Sequence, residues 1–220
     1  MDRWTGKFAI VTGASSGIGK SITRELVSAG VNVLGLARRE NRLQELSENL
    51  KFSKGAFYYL KCDLCNEEDI LKAFEYVENN FQQVDILINN AGIMLGGSLA
   101  ETTIEDYRTL LDLNVLAPAL CIQEALKLMR KHKNEAHIIN INRHIIFTDK
   151  NIYNFSDNYI YFTVATNTEL FDLSEKLDHV LNVIPALESK DVADSIMFAL
   201  SVPPHVQIDQ LVVSGVPSKQ

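Results

Sequence analysis

Apolar runs closed by a glycine, a charge or a polar turn punctuate the first two-thirds of the chain: KFAIVTG from Lys7, VNVLGLA from Val31, AFYYLKCD from Ala56, VDILINNAG from Val84 and AHIININ from Ala136. Continuous rather than alternating apolar runs predict strands buried on both faces, as in a parallel sheet. Between them the period changes to that of a helix. Ile18, Ile22, Leu26 and Val27 share one helical face, with Gly30 as the stop. Leu43, Leu46 and Leu50 line the inner face of a charged helix, and NEEDILKAFEYVENNF opens with an asparagine cap and acids in its first turn, as the helix dipole favours. A long helical region runs from Thr102 to His132, with Pro118 expected to kink or break it unless it falls in a first turn. Strand, helix, strand, repeated, predicts a single α/β domain: a Rossmann-type, doubly wound parallel sheet joined by right-handed crossovers.

After Asn142 the pattern weakens. RHIIFTDKNIYNFSDNYIYF has no clean period, VATNTELFDLSEKL reads as a helix, ESKDVADSIMFALS as a helix capped by Ser189, and QIDQLVVSG as a final strand. No repeat or Pro/Gly-rich linker divides the 220 residues. The organisation expected is one domain: a well-formed half over 1–142, an irregular segment over 143–187, and a terminal helix and strand over 188–215.

Composition narrows the partners. A net charge of −7 disfavours nucleic acid and anionic membrane surfaces. The uninterrupted apolar runs fall short of the ~18 residues of a membrane span, and the N-terminal stretch carries no small-residue cleavage site, so the expected location is the cytosol. Cys62 and Cys65 form a Cys-x-x-Cys, but a structural zinc site needs a second such pair. A redox pair and two plain reduced thiols are the readings left, and no metal is expected.

The chemistry begins at TGASSGIG, Thr12 to Gly19, which follows a strand and opens a helix. Gly13 suits the tight turn, and Gly17 and Gly19 allow a pyrophosphate and the strand to approach the backbone closely. The free N–H groups and partial positive charge of the helix start favour a phosphate, with Ser15, Ser16 and Ile18 on the same turn. About 20 residues further on, where an acid would hold the ribose 2′-OH of NAD, stand Ala37, Arg38 and Arg39. A guanidinium fork suits a 2′-phosphate, which favours NADP(H) over NAD(H). The plainer alternative makes both arginines the solvated start of a helix.

The Gly-x-x-x-Gly-x-Gly spacing, the NNAG of Asn89 to Gly92 and Asn114 within LDLNVLAP together resemble the short-chain dehydrogenase/reductase family. The opening and the stretch from Pro185 to Val213 look most like its insect farnesol dehydrogenase-like branch. The resemblance implies NADP(H) as cofactor, a small alcohol or carbonyl as substrate, and homodimers or homotetramers paired through the long fourth and fifth helices. It places Asp63 and Leu64 at the adenine, Asn90, Ala91 and Gly92 along the cofactor, and Asn114 in a proton relay.

The resemblance also implies a catalytic tyrosine, a lysine four residues on that lowers its pKa, and a serine after strand five. Free tyrosine, with a pKa of about 10, is only about one part in a thousand ionised at pH 7, so the lysine matters. No lysine in the chain stands four residues after a tyrosine, and Arg143 occupies the serine position. Tyr161 is the candidate acid, with Ala165 in the lysine slot. In another register Asp157 takes the tyrosine slot and Tyr161 the lysine slot, and Tyr153, Tyr159 and His144 are further candidates. HVLNVIP has the character of a sixth strand without its Pro-Gly turn, so that strand is expected to be lost or distorted. Three readings follow: an oxidoreductase with displaced catalytic groups, a non-catalytic NADP(H)-binding scaffold, or a decayed product.

Overall fold

Strands β1 (Phe8–Thr12), β2 (Asn32–Ala37), β3 (Phe57–Lys61), β4 (Ile86–Asn89) and β5 (His137–Asn140) form one parallel sheet ordered β3-β2-β1-β4-β5. The computed structural model describes residues 1–94, 102–132, 135–142 and 187–214. All five strands fall within the apolar runs. Each residue of β1 is buried because both sheet faces are covered. Ala9 and Val11, with Ile86 and Ile88, face one core together with α1 (Gly17–Ser28), α2 (Glu40–Leu50) and α6 (Ser189–Ser201). Phe8, Ile10 and Leu87 face the other, against α3 (Glu67–Asn80) and α5 (Ala117–His132). The period of two in the strands thus sends alternate side chains to opposite layers. The order reverses between β1 and β4, which opens a crevice at their C-terminal ends.

Helix signals hold with small corrections. Leu43, Leu46 and Leu50 are buried, and the Asn66 side chain accepts from Glu68 N–H as the cap of α3. In α6 the cap is Glu188, not Ser189: its carboxylate accepts from Asp191 N–H while the Asp191 carboxylate accepts from Glu188 N–H. A reciprocal box satisfies two helix-end donors, where a serine one residue later would satisfy one. α6 ends at Ser201 before Pro203 and Pro204, and its last turn is tied to the chain start, where the Trp4 indole and Arg3 guanidinium donate to Leu200 O at 2.7 and 3.2 Å.

The long helical region does not break at Pro118. α4 (Ile104–Leu111) passes through a five-residue π turn, Asp112–Leu116, directly into α5. Pro118 is the second residue of α5, where its missing N–H is tolerated. Unbroken, Ile104–Lys131 is 28 residues long and apolar enough by length and composition to cross a bilayer, which the separate apolar runs did not suggest. Its buried residues Leu113, Ala117, Cys121, Ala125 and Leu128 recur every three to four positions against the second core, the pattern of an amphipathic core helix.

The expected final strand is absent among the described residues. Ile208, Leu211 and Val213 pack on the first core, but residues 206–214 join no ladder. A cavity of about 390 Å³, lined by Glu135–Ile138 on one side and Pro204 and Val206–Asp209 on the other, separates this segment from the start of β5. Strands must approach to ~4.8 Å to pair, and across this gap they do not. HVLNVIP and nearly all of the irregular 143–187 segment lie outside the described residues.

Candidate functional site

The crevice is built from the β1–α1 turn outward. Gly13 and Gly17 have positive φ of 69° and 53°, which β-carbon-bearing residues rarely adopt. At Gly13 a β-carbon would lie 2.8 Å from Asn90 Nδ2, and at Gly19 it would collide with Gly13 O. These glycines therefore let the turn, α1 and the loop after β4 pack backbone to backbone. Ser16 caps α1 with extended backbone, and its hydroxyl makes no cap bond to the helix. The first-turn N–H groups of α1 are therefore not masked by a cap side chain, and Ser15 and Ile18 flank them.

Thr12 locks this turn to the loop after β4. Its hydroxyl accepts from Asn90 N–H at 2.9 Å and Ala91 N–H at 3.0 Å, and donates to Ile88 O at 3.4 Å. The Asn90 side-chain amide donates back to Thr12 O at 2.9 Å and Gly13 O at 3.4 Å. Asn90, expected on the cofactor, thus braces the turn with its own side chain. Its neighbours Ala91 and Gly92 lie at the crevice, and Gly92 is exposed. The Asn114 amide, carried on the π turn, accepts from Ile93 N–H at 2.9 Å and donates to Ile93 O at 2.8 Å. That clamp holds the Asn114 side chain on the loop by one bond at each of its amide atoms.

At the end of β2 the two arginines part company. Arg39, the N-cap residue of α2, donates to Ser16 Oγ at 2.6 Å and Ser15 Oγ at 3.5 Å. A guanidinium thus stands over the uncapped start of α1. Arg38 is exposed on the other side, where its charge opposes a rise in the Cys65 thiol pKa caused by burial and by Asp63. Asp63 Oδ1 accepts from Cys65 N–H at 3.1 Å, which shapes the loop after β3, and Leu64 is buried beneath it. Burial pushes the Cys62 and Cys121 thiols up to about 12, so all three cysteines are protonated at neutral pH, and a reactive Cys62–Cys65 redox pair finds no support.

At the β5 edge of the crevice, Asn89 Nδ2 donates to Asn140 Oδ1 at 2.8 Å across the β4–β5 ladder, both residues buried. Sequence reasoning missed this pair and the Thr12 brace. The signal available was an asparagine closing each of two strands that prove adjacent. Tyr161, the other tyrosine candidates, Arg143 and His144 lie outside the described residues.

This arrangement has known counterparts. The family model described as short chain dehydrogenase matches residues 7–146. The chain belongs to that family. The short-chain dehydrogenases it resembles include the farnesol dehydrogenase of Aedes aegypti, 38% identical over 247 aligned residues with all of both chains covered. The dehydrogenase/reductase SDR family member 11 of Gallus gallus is 32% identical, over 96% of each chain. With an alignment of 247 positions against 220 residues, the mosquito relative carries residues that this family member lacks. Among solved structures, a closed serine dehydrogenase complexed with NADP+ superposes with a TM-score of 0.78 at 24% identity, covering 97% of this chain and 99% of its own. An alcohol dehydrogenase of Thermococcus sibiricus complexed with 5-hydroxy-NADP gives 0.79 at 18%, covering 97% and 98%. At these identities the structures establish the shared fold.

Proposed function

We propose that this short-chain dehydrogenase family member binds NADP(H) in the crevice between β1 and β4 and exchanges hydride with a small alcohol or carbonyl compound. The observation that carries the cofactor choice is the reach of Arg39 to Ser16 and Ser15 at the start of α1. A guanidinium and two hydroxyls converge where a 2′-phosphate and pyrophosphate would be read, and no acid occupies the end of β2. Gly13 and Gly19 let the turn pack against the loop after β4, Gly17 supplies a positive φ at the start of α1, and Asp63 and Leu64 stand at the adenine end. When bound, the nicotinamide supplies or accepts the hydride. The chain's own residues bind its phosphates, and the Asn114 clamp on Ile93 sets the edge of the crevice.

A second reading, a non-catalytic NADP(H)-binding protein, is favoured by one specific observation. The Tyr-x-x-x-Lys pair is missing from the whole sequence, and the family match ends at residue 146. Removal of a proton-transfer group costs about 10²–10⁴ in rate. Fluorescence titration with NADPH and NADH, then NADPH oxidation with a panel of aldehydes, ketones and quinones, separates the two. Preference for NADPH with turnover supports the oxidoreductase, and tight binding without turnover supports the second reading. NADH bound as tightly as NADPH would remove the role given to Arg39. The same proposal includes self-association through the exposed apolar side chains Leu111, Val115 and Leu116.

A further inference from the structure

β2 carries in its middle a glycine that lies outside the glycine motif of the β1–α1 turn. Gly35 pairs with Val11 of β1 on one side and Tyr59 of β3 on the other. A glycine weakens a strand interior, and one found there often marks the close approach of another group. Two groups approach here. A β-carbon on Gly35 would lie 2.8 Å from Cε2 and Cζ of Phe57 and 2.9 Å from Cβ of Ala14. The two contacts differ in kind. The Phe57 ring is the far end of a half-buried side chain and can swing aside. The Ala14 β-carbon belongs to the backbone of the β1–α1 turn and moves only with it. Ala14 is fully buried, and its N–H and that of Gly13 donate to Leu36 O at 3.4 and 2.8 Å. The turn thus hangs from β2 by backbone bonds and rests its Ala14 methyl in a notch where β2 has no side chain. Ser15 and Ser16 follow directly, and both hydroxyls accept from Arg39, two residues past the end of β2. β2 therefore sets both partners of this contact: the notch fixes the height of the serines, and the strand end fixes the guanidinium.

We propose that Gly35 is a positioning residue for cofactor selection. Its missing side chain seats Ala14 on the sheet and so brings Ser15 and Ser16 within reach of Arg39. The group that this contact reads is a phosphate ester, the 2′-phosphate of NADPH. That last step rests on the NADP(H) reading above, whereas the seating of the turn does not.

Gly35→Ala adds one methyl to the notch and tests this. In crystals of the variant grown without cofactor, residues 14–16 should be displaced from β2 and the Arg39–Ser16 contact of 2.6 Å should be broken. In parallel fluorescence titrations the NADPH-to-NADH affinity ratio should fall about tenfold, the effect of losing one charge-assisted bond. Gly35→Ala combined with Ala14→Gly moves the methyl from the turn to the strand at constant volume, and should restore both the contact and the ratio. Gly35→Ala combined with Phe57→Leu relieves only the ring and should leave the ratio low. Ala14→Val presses on the same notch from the turn without altering β2 and should lower the ratio too, so the test stands even if the strand variant does not fold. An unmoved turn in Gly35→Ala overturns the proposal. So does an equal loss of NADPH and NADH, which plain loss of stability would give, or a ratio restored by Phe57→Leu but not by Ala14→Gly. A native protein that binds both dinucleotides equally would instead sink the NADP(H) reading, and the Arg39–Ser16 distance in the variant would still decide the seating.

Discussion

Arg39 joins two helix starts, as N-cap residue of α2 and as a donor to the Ser16 cap of α1. A charge-assisted bond at an exposed position is worth about 1.5 kcal/mol, so Arg39→Ala should weaken NADPH about tenfold and leave NADH nearly unchanged in parallel titrations. Arg38→Ala should do less, because that side chain leans toward the loop after β3; an equal loss in both variants would assign the phosphate to neither alone. At this scale the turn that opens α1 was legible. Gly13, Gly17, Gly19, Ser16 and Arg39 announce themselves by type and spacing within 27 residues of one another. Thr12 did not, since its partners Asn90 and Ala91 lie 78 and 79 positions away. The spacing of a motif records local geometry, whereas a brace between two loops exists only once the sheet has brought them together.

Among the elements, the strands were readable because burial on both faces leaves an unmistakable apolar run. The π turn was not. It occupies five residues, too few to show a period, and the rule for proline allowed either a break or a place in a first turn, of which the structure has the second. What carries the helix across is Asn114, whose amide ties the turn to Ile93 by two bonds. Asn114→Ala should cost about 1–3 kcal/mol, because it strands the Ile93 N–H and C=O, and should speed hydrogen exchange at Ile93. Asn114→Asp keeps the acceptor and loses the donor, so its Tm should fall between the other two. A Tm for Asn114→Ala equal to that of the native protein would mean that the clamp contributes nothing. The last strand misleads for a complementary reason: its sequence has strand character, yet among the described residues 206–214 join no ladder, and pairing is a property of the sheet rather than of the segment.

For the whole molecule, pH and association are the readouts. His137 begins β5 beside Trp4, its ring 5.7 Å from the indole. Burial holds its pKa below the ordinary value, with help from Arg3 and opposition from Glu135. The unfolded chain therefore takes up the proton first, so the stability tied to His137 is present above its unfolded pKa of about 6.5 and is lost as the pH falls through it. Tm should drop between pH 7.5 and 5.5, and His137→Gln should flatten that part of the profile; an unchanged slope would place the sensitivity elsewhere. Leu111→Lys combined with Leu116→Lys should halve the mass seen by light scattering if copies pair through that helix face, and should leave the mass unchanged if they do not. A longer-range consequence lies in the tie between Trp4 and Leu200. The face of the sheet that carries α1 is closed by α6, whose Val192, Ala193, Ile196, Ala199 and Leu200 are all buried. On the ribosome, then, the nucleotide cradle is written early but sealed late. The chain must emerge as far as Leu200 before its one tryptophan, Trp4, finds its acceptor. A message cut short before α6 would not yield a smaller cofactor-binding protein; it would yield a sheet with one side open to chaperones and proteases.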